Sequence, residues 1–256
     1  MRFASLGSGS KGNATLIEAG DTRILLDCGF RVGETERRLA RLQVSPAALS
    51  AVVVTHEHSD HIQGVAALAR RHDLPVHLTF GTHRAVSAGR HSLDGASWHE
   101  VRPERPFRVG DVEVEPVPVP HDAREPCQYI FRAHERVLGV LTDLGSLTPH
   151  VVRAFGECDA LVLESNHDSQ LLAAGPYPPG LKRRVAGDRG HLNNGQAAEL
   201  VQRINQDRLR HLVLCHLSEE NNTPEHALQA VHEAMPVGHE RVRVACQKAG
   251  FDWLEV

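Results

Sequence analysis

Thr55-His56-Glu57-His58-Ser59-Asp60-His61 is the stretch on which the fold turns. The apolar run before it, residues 49–54, is rich in β-branched side chains and reads as a buried strand. After it, Ile62-Gln63-Gly64-Val65-Ala66-Ala67-Leu68-Ala69 has the apolar spacing of a helix. Three imidazoles and a carboxylate therefore share one strand-to-helix turn. In extended chain, alternate side chains point the same way, so His56 and His58 share a direction. Neutral imidazole and carboxylate together suit Zn, Mn or Fe. The plainer alternative makes Asp60 a helix N-cap and the histidines exposed turn residues. Four ligand-type groups directly after one buried strand weigh against it.

Outward from that turn, the chain of 256 residues is long enough for one large core or two modest domains. With 41% hydrophobic and 23% charged residues it has the composition of a soluble globular protein. Aromatics make up only 4%, so stacking of bases on aromatic platforms is at most a minor device. The formal charge of −4 argues against general electrostatic adhesion to nucleic acid, though it leaves room for a local basic groove. Among the 18 histidines, His77, His83, His91 and His99 read as surface or packing residues. Cys28, Cys127, Cys158, Cys215 and Cys246 are widely spaced and form no CxxC pair, the pattern of reduced, buried thiols in the cytoplasm. The N-terminus lacks a signal-peptide pattern and no run reaches transmembrane length, so the expected compartment is cytoplasmic, with no membrane partner.

The opening strand, 2–6, runs into Gly7-Ser8-Gly9-Ser10-Lys11-Gly12-Asn13, a turn first and a phosphate cradle second. It lacks P-loop spacing, so ATP binding is not supported. Strands come next at 14–19 and 23–27, then a helix at 33–43. Beyond the histidine turn, the pattern predicts a helix at 62–72, a strand at 76–78 and a helix at 80–88. Strands are expected at 97–101, 106–109, 111–119, 127–134 and 136–142. Pro116-Val117-Pro118-Val119-Pro120 marks an irregular or edge segment that delivers His121. The remainder alternates: helix 148–155, strand 159–164, helices 168–175, 178–186 and 194–206, strand 210–215, helix 223–235 and strand 241–246. With no linker in sight, the expectation is a single domain over 1–256, in which two β-rich blocks form facing sheets flanked by helices.

If the histidine turn binds metal, more ligands belong at other strand ends. His121 comes after the strand at 111–119, Asp143 ends the one at 136–142, and His216 ends the one at 210–215. Asp27, before the Gly29 turn, caps a helix or supports a metal site. His56, His58 and His121 with one oxygen of Asp143 supply a first ion. Asp60, His61, His216 and the other oxygen of Asp143 supply a second. Two-metal hydrolases hold their ions about 3.5–4 Å apart, and a bound cation lowers the pKa of water to about 7, which generates a hydroxide nucleophile.

The motif His56-x-His58-x-Asp60-His61, with Asp27, His121, Asp143 and His216 in that order, resembles the metallo-β-lactamase superfamily, from Asn13 to about residue 245. The resemblance implies an α/β fold, a four-layer αββα sandwich with its site at one edge of the sheets. Classical β-lactamases carry Cys where Asp143 stands, whereas the phosphodiesterases and related hydrolases carry Asp, so the resemblance disfavours antibiotic hydrolysis. A closer likeness lies in the last third, in Leu163-Glu164-Ser165-Asn166-His167-Asp168, in Gly190-His191-Leu192-Asn193-Asn194 with Gln196-Ala197-Ala198, and in the run from His216 to Glu225. These segments, and the Gly-Ser-Gly-Ser start with Gly12-Asn13, resemble the YycJ/WalJ-like exonuclease group. That likeness implies a metal-dependent phosphodiesterase, a 5′-to-3′ exonuclease on single-stranded DNA, with RNA as the alternative substrate and a monomer or homodimer as the active species. RNase Z has a comparable Gly-His near a glutamine-alanine helix, which makes His191 the proton donor and Glu164 its partner. The chain has neither the inserted nucleic-acid-clamping domain of RNase J-type relatives nor the exosite arm of RNase Z.

The chemistry this implies is in-line attack of a dinuclear metal-bound hydroxide on a phosphodiester. Asp60 accepts a proton while holding the second ion, and His191 supplies one to the departing 3′-oxygen. Ser8, Ser10, Lys11 and Arg184 are the expected phosphate contacts, together with the amides of Gly9 and Gly12. Lys182, Arg183, Arg184 and Arg189 form the densest basic cluster. Such a cluster on a helix is usually a solvated face, but its place just before His191 favours contact with a nucleic-acid backbone. All-His/Asp ligation accepts zinc readily and manganese less tightly, so the expected cofactor is two divalent ions per chain, Mn or Zn. Rival readings are an RNA-processing nuclease, cyclic phosphodiesterase, thioesterase or lactonase on the same scaffold, and a non-catalytic metal-binding protein. His167 and Asp168 take no role in this reading.

Overall fold

Short runs of Val, Leu, Ile and Ala, broken by glycine, proline and aspartate, dictate many short strands and few long helices. The computed structural model describes every residue except Ala88 and Pro236, and only the backbone of His239. The chain forms two compact units. The first takes Met1–Pro118, Ala123–Glu135 and Cys246–Glu255; the second takes Val119–Asp122 and Arg136–Ala245, with Val256.

The first unit holds β1 (Arg2–Gly7), β2 (Ala14–Ala19), β3 (Thr22–Leu26), β4 (Ala51–Val53), β5 (Val76–Thr79), β6 (Trp98–Val101), β7 (Phe107–Val109), β8 (Val112–Pro118) and β9 (Cys127–Ala133). Its helices are α1 (Val32–Arg41), α2 (Ser59–Ile62), α3 (Val65–His72) and α4 (Phe80–Val86). The second unit holds β10 (Arg136–Leu141), α5 (Pro149–Phe155), β11 (Ala160–Glu164), α6 (Ser169–Ala174), α7 (Pro179–Val185), α8 (Asn194–Arg203), β12 (His211–Cys215), α9 (Pro224–Ala234) and β13 (Val242–Val244). The chain then returns to the first unit as β14 (Phe251–Glu255).

In the first unit a seven-stranded sheet runs β14-β1-β2-β3-β4-β5-β6. Its β14–β3 side is antiparallel, and β3 through β6 are parallel. Leu16, Leu25, Leu39, Val52, Ile62 and Leu68 join one buried cluster on this sheet. Fully burying each such side chain contributes about 1.5–3 kcal/mol. β7, β8 and β9 form an antiparallel meander. Where an irregular or edge segment is expected, residues 116–118 end the regular strand β8, an interior strand of that meander. β7 pairs only with Val112–Val114, and beyond it Pro116 O accepts from Glu104 N at 3.0 Å, so Pro116 and Pro118 lack an amide along a stretch where β7 no longer pairs.

Two departures near the histidine turn have local causes. The helix expected over 62–72 starts at Ser59 and breaks at Gly64 into α2 and α3. Gly64 N donates to Cys28 O at 2.7 Å, and a β-carbon on Gly64 would sit 2.1 Å from Phe30 O, so only glycine lets the two segments pass. The strand expected over 49–54 shortens to β4 because Pro46–Ala48 forms a 3-10 turn. β14 has no counterpart among the expected strands. It pairs antiparallel with β1, with Phe3 and Phe251 rings edge-on at 5.6 Å. The helix expected over 80–88 ends at Val86, and its last expected residue, Ala88, lies outside the described residues.

In the second unit, β10, β11, β12 and β13 are parallel neighbours. Leu141, Leu163 and Leu214 stand in register across β10, β11 and β12. Parallel strands in register bring the residues at their carboxyl ends to one end of the sheet, the usual place for a site in such sheets. Here those residues are Asp143, Glu164 and His216.

The histidines read as packing residues do pack. His77 stacks between His99 and Phe107, and His83 stacks on Trp98 at 3.9 Å. All five cysteines are free; four are buried, but Cys246 is exposed, contrary to the expectation for that residue, because it flanks the β14 turn. Among the described residues, no helix is long and apolar enough to cross a membrane.

Candidate metal centre and catalytic site

In the first unit, everything is built around Asp27. It comes directly after β3 with a positive φ of 60°, which turns its side chain toward the histidine turn. Its Oδ1 accepts from Thr55 N at 2.8 Å, and its Oδ2 accepts from Thr55 Oγ1 and lies 2.8 Å from His61 Nδ1. Because Thr55 gives its proton to Asp27, its oxygen accepts from His56 Nδ1, 2.9 Å away. Asp27 thus sets the orientation of two imidazoles, leaving Nε2 of each as the lone-pair nitrogen. His56 Nε2 and His58 Nδ1 face each other at 2.9 Å. His58, not Asp60, occupies the N-cap position of α2, and Asp60 lies inside the helix. Asn13 Nδ2 donates to Asp60 Oδ2 at 3.3 Å and lies 3.1 Å from His61 Nε2. Gly29 lets β3's exit run against this turn: a β-carbon there would meet Asp60 O at 1.7 Å.

In the second unit, Glu164 plays the corresponding part. Its Oε1 lies 2.8 Å from His191 Nδ1 and 3.0 Å from His216 Nδ1, and its Oε2 accepts from Leu144 N and Leu192 N. One fully buried carboxylate thus ties together the loops after β10 and β12 and the turn before α8. His121 Nδ1 donates to Gly190 O at 2.9 Å. Asp143 Oδ1 lies 3.4 Å from His216 Nδ1, 3.5 Å from His191 Nδ1 and 3.7 Å from His121 Nε2. Donor atoms of Asp143, Glu164, His191 and His216 lie within 4.8 Å of one another.

The backbone is strained where these groups sit. Asp27, Asp143 and His216 take φ of 60°, 49° and 53°, each just past the end of a strand. A non-glycine residue in the left-handed region costs about 1–3 kcal/mol, and such strain gathers at functional sites. Asp and His accept it better than most side chains.

The charges are equally directed. Burial pushes the Glu164 carboxyl up, but His191 and the hydrogen bonds from His191 and His216 outweigh it and bring it to about 2. Burial pushes the His191 imidazole down, and the Glu164 charge and hydrogen bond outweigh that, so it lies above the ordinary value. Burial drives the Asp27 carboxyl up, against the pull of His61 and Thr55. A buried acid drawn toward its neutral form is a group whose ionised state a nearby cation would favour. Together with imidazoles whose Nδ1 atoms are already engaged, it makes a donor set that fits a divalent ion.

The family model of the β-lactamase superfamily domain matches residues 22–217. The chain is 36% identical to exodeoxyribonuclease YycJ of Bacillus anthracis over 237 residues, 92% of this chain and 89% of that one. The chain belongs to the metallo-β-lactamase superfamily. Within it, the chain also shares 33% identity with exodeoxyribonuclease WalJ of Streptococcus pneumoniae, over 88% of this chain and 84% of that one. Its fold matches the metallo-β-lactamase-fold protein YhfI of Bacillus subtilis at a TM-score of 0.74 and 17% identity, over 99% of both chains. The α/β sandwich expected from the motifs is therefore its fold.

For this superfamily member, the structure places His56, His58, Asp60, His61 and supporting Asp27 together in the first unit. His121, Asp143, Glu164, His191 and His216 come together in the second. The phosphate contacts fare differently. Gly9 N donates to Asn13 Oδ1 and Gly12 N donates to Gly9 O, so neither amide is the open cradle expected; the loop spends them on folding Asn13 inward. Ser8 is buried with its hydroxyl 3.4 Å from Asn13 Oδ1, Ser10 is exposed, and exposed Lys11 uses its amide on Gln247. Arg184 is ion-paired with Asp122 at 2.5 Å.

Several working residues carry little signal of their own in the sequence. Asn13 reads there as one more residue of a loop. Asn166 donates from Nδ2 to His216 O at 2.9 Å, and its backbone binds Leu192 and Ser218. Ser165, Asn194 and Asn222 form a closed buried network behind it. Asp168 has a plain role as N-cap of α6, accepting from Gln170 N and Leu171 N. Asparagine is so common in turns that none of these residues stands out singly; the signal lies in the likeness of the segments that hold them to the exonuclease group.

Proposed function

We propose that the chain is a metal-dependent phosphodiesterase, a 5′-to-3′ exonuclease on single-stranded DNA. The observation that carries this reading is His191 held on Glu164, beside Asp143 and His216, in a relative of proteins named exodeoxyribonucleases. Seven residues are the proposed ligands of two divalent ions, Zn or Mn: His56, His58, Asp60 and His61 of the first unit, and His121, Asp143 and His216 of the second. Such ions, when bound, lower the pKa of water toward neutrality and offset charge on a phosphate oxygen.

The chain's own groups then do three things. Asp27 and Glu164 hold imidazole orientation, so that Nε2 of His61 and of His216 carries the lone pair. Asp60 accepts a proton from the attacking water. His191, with Nδ1 engaged by Glu164, donates from Nε2 to the departing 3′-oxygen. Ser10 and Lys11 are the remaining proposed contacts to backbone phosphate. Arg184 joins them only by exchanging Asp122 for phosphate, and buried Ser8 supports the loop through Asn13. We place the enzyme in the cytoplasm, as a monomer or homodimer, with residues 1–256 acting as one catalytic domain into which no clamping domain is inserted.

The test compares turnover of bis-p-nitrophenyl phosphate, a thioester and end-labelled single-stranded DNA. The proposal expects metal-dependent cleavage of the diester and the DNA and none of the thioester. Thioester turnover with intact DNA would turn the reading to a different hydrolase.

A further inference from the structure

After β13 the chain re-enters the first unit at Cys246 and reaches β14 at Phe251. The stretch between them makes specific contacts through one side chain. Gln247 Oε1 accepts from Lys11 N at 2.7 Å, and Gln247 Nε2 donates to Gly12 O at 2.9 Å. Both ends of one carboxamide are thus spent on the backbone of the Gly-Ser loop, far away in sequence.

Gln247 is itself held in place. Arg38 of α1 donates from Nη1 to Gln247 O at 3.3 Å and to Leu6 O at 2.5 Å, and its guanidinium lies over the Phe30 ring at 4.1 Å. Arg41 of the same helix donates to Ala249 O and, at 3.1 Å, to Ser5 O. Two arginines therefore fasten residues 247–249 to β1, and Gln247 reaches from there to the loop.

The loop's inward residue is Asn13, buried at 5% exposure. Its Oδ1 accepts from Gly9 N at 2.8 Å and its Nδ2 donates to Gly9 O at 3.1 Å, so its side chain follows the shape of the loop. Asn13 N donates to Asp60 O at 2.8 Å, and Nδ2 donates to Asp60 Oδ2 at 3.3 Å. The Asp60 side chain is 22% exposed. A part-buried carboxylate keeps rotamer freedom unless a donor fixes it, and the outer partners of metal ligands set affinity through that orientation.

We propose that Gln247 is a positioning residue of the metal centre. It holds the Gly-Ser loop so that Asn13 keeps Asp60 aimed at the ion proposed to bind there. The return of the chain from β13 to β14 then serves the site as well as the sheet. This goes beyond the exonuclease reading and rests only on its metal ligands. It also sets an order: Gln247 acts through Asn13, and Asn13 acts on Asp60.

The experiment titrates the metal-stripped full chain with Mn²⁺ by calorimetry, in wild type, Gln247→Met, Gln247→Ala, Asn13→Ala and Asn13→Ala/Gln247→Met. Methionine keeps the reach of glutamine without its amide, and circular dichroism verifies that each variant is folded. Asn13→Ala is expected to weaken Mn²⁺ binding about 10–100-fold, the usual cost of losing an outer partner of a ligand. Gln247→Met is expected to weaken it about 2–30-fold, the range for a residue coupled through a network, and Gln247→Ala at least as much. Because the two residues act in series, the double variant should bind as Asn13→Ala does, whereas independent structural losses would multiply. Wild-type affinity in both Gln247 variants, or multiplied losses in the double variant, overturns the assignment. A wild type that takes up no Mn²⁺ defeats the metal reading itself, and this proposal with it; a wild type that binds while the Gln247 variants match it defeats the role of Gln247 alone.

Discussion

His191 Nδ1 lies 2.8 Å from Glu164 Oε1, an oxygen that also stands 3.0 Å from His216 Nδ1. A single buried carboxylate thereby couples the proposed proton donor to a proposed metal ligand. Its charge raises the His191 pKa, so His191 is charged below that raised value and loses its proton as pH climbs through it. Activity that needs the acid should fall on the alkaline side. Glu164→Gln keeps the shape but removes the charge, so the alkaline limb of kcat/KM should move to lower pH. The maximum should drop by about 10–100-fold, the usual cost of losing an outer partner of a metal ligand. A pH profile whose alkaline limb stays in place would separate Glu164 from His191's ionisation.

Removing the donor itself gives a sharper contrast. His191→Ala should lower kcat on DNA by about 10²–10⁴-fold, the range for one general acid. p-Nitrophenolate leaves without a proton, so hydrolysis of bis-p-nitrophenyl phosphate should suffer far less. Equal losses on both substrates would mean that His191 does something other than protonate the leaving oxygen.

Asp27 is the matching test in the first unit. Asp27→Asn tolerates the positive φ and retains one acceptor for Thr55, but it no longer holds His61 Nδ1 through a charged oxygen. Metal affinity should fall about 10–100-fold while the fold persists. Titration of the metal-stripped variant with Zn²⁺ or Mn²⁺, monitored by calorimetry, reads this directly. Unchanged affinity would leave Asp27 a purely structural acid.

Acid stability should depend on Asp159, far from this chemistry. Its carboxylate accepts from Val137 N at 2.8 Å and pairs with Arg208 at 3.1 Å and Arg136 at 3.5 Å. Burial pushes the carboxyl up, but the Arg208 hydrogen bond with the other contacts outweighs it and holds it below the ordinary value. The folded pKa is therefore depressed, and its stabilisation is present above the unfolded value of about 3.9 and lost as pH falls through the folded value. Asp159→Asn should lower stability at pH 7 by about 1–3 kcal/mol and flatten the decline below about pH 4. Urea unfolding at pH 7, 5 and 3 measures both.

Much of this site can be read without coordinates, because its ligands lie at the ends of strands and strands show as apolar runs. The turn from Thr55 to His61, and Asp143 and His216 at the ends of β10 and β12, stand where their apolar runs stop. Register cannot be read that way. Nothing in one sequence says that Leu141, Leu163 and Leu214 stand side by side, so Glu164 reads as partner to His191 but not as partner to His216 as well. Nor does sequence reveal where an amide spends its hydrogen bond. Gly9 and Gly12 have the composition of an anion cradle, and only the inward fold of Asn13 shows them occupied. β14 escapes detection because half-buried alternation over five residues is too weak a signal beside a chain end.

The most direct measurement is digestion of a 5′-labelled single strand by the purified chain with Mn²⁺, Zn²⁺ or EDTA, alongside its metal content. The prediction is about two ions per chain, release of label as a mononucleotide from the first time point, and no cleavage in EDTA or by Asp143→Ala. A fully metal-loaded chain that leaves the strand intact, or one that cuts it as well in EDTA, would contradict it.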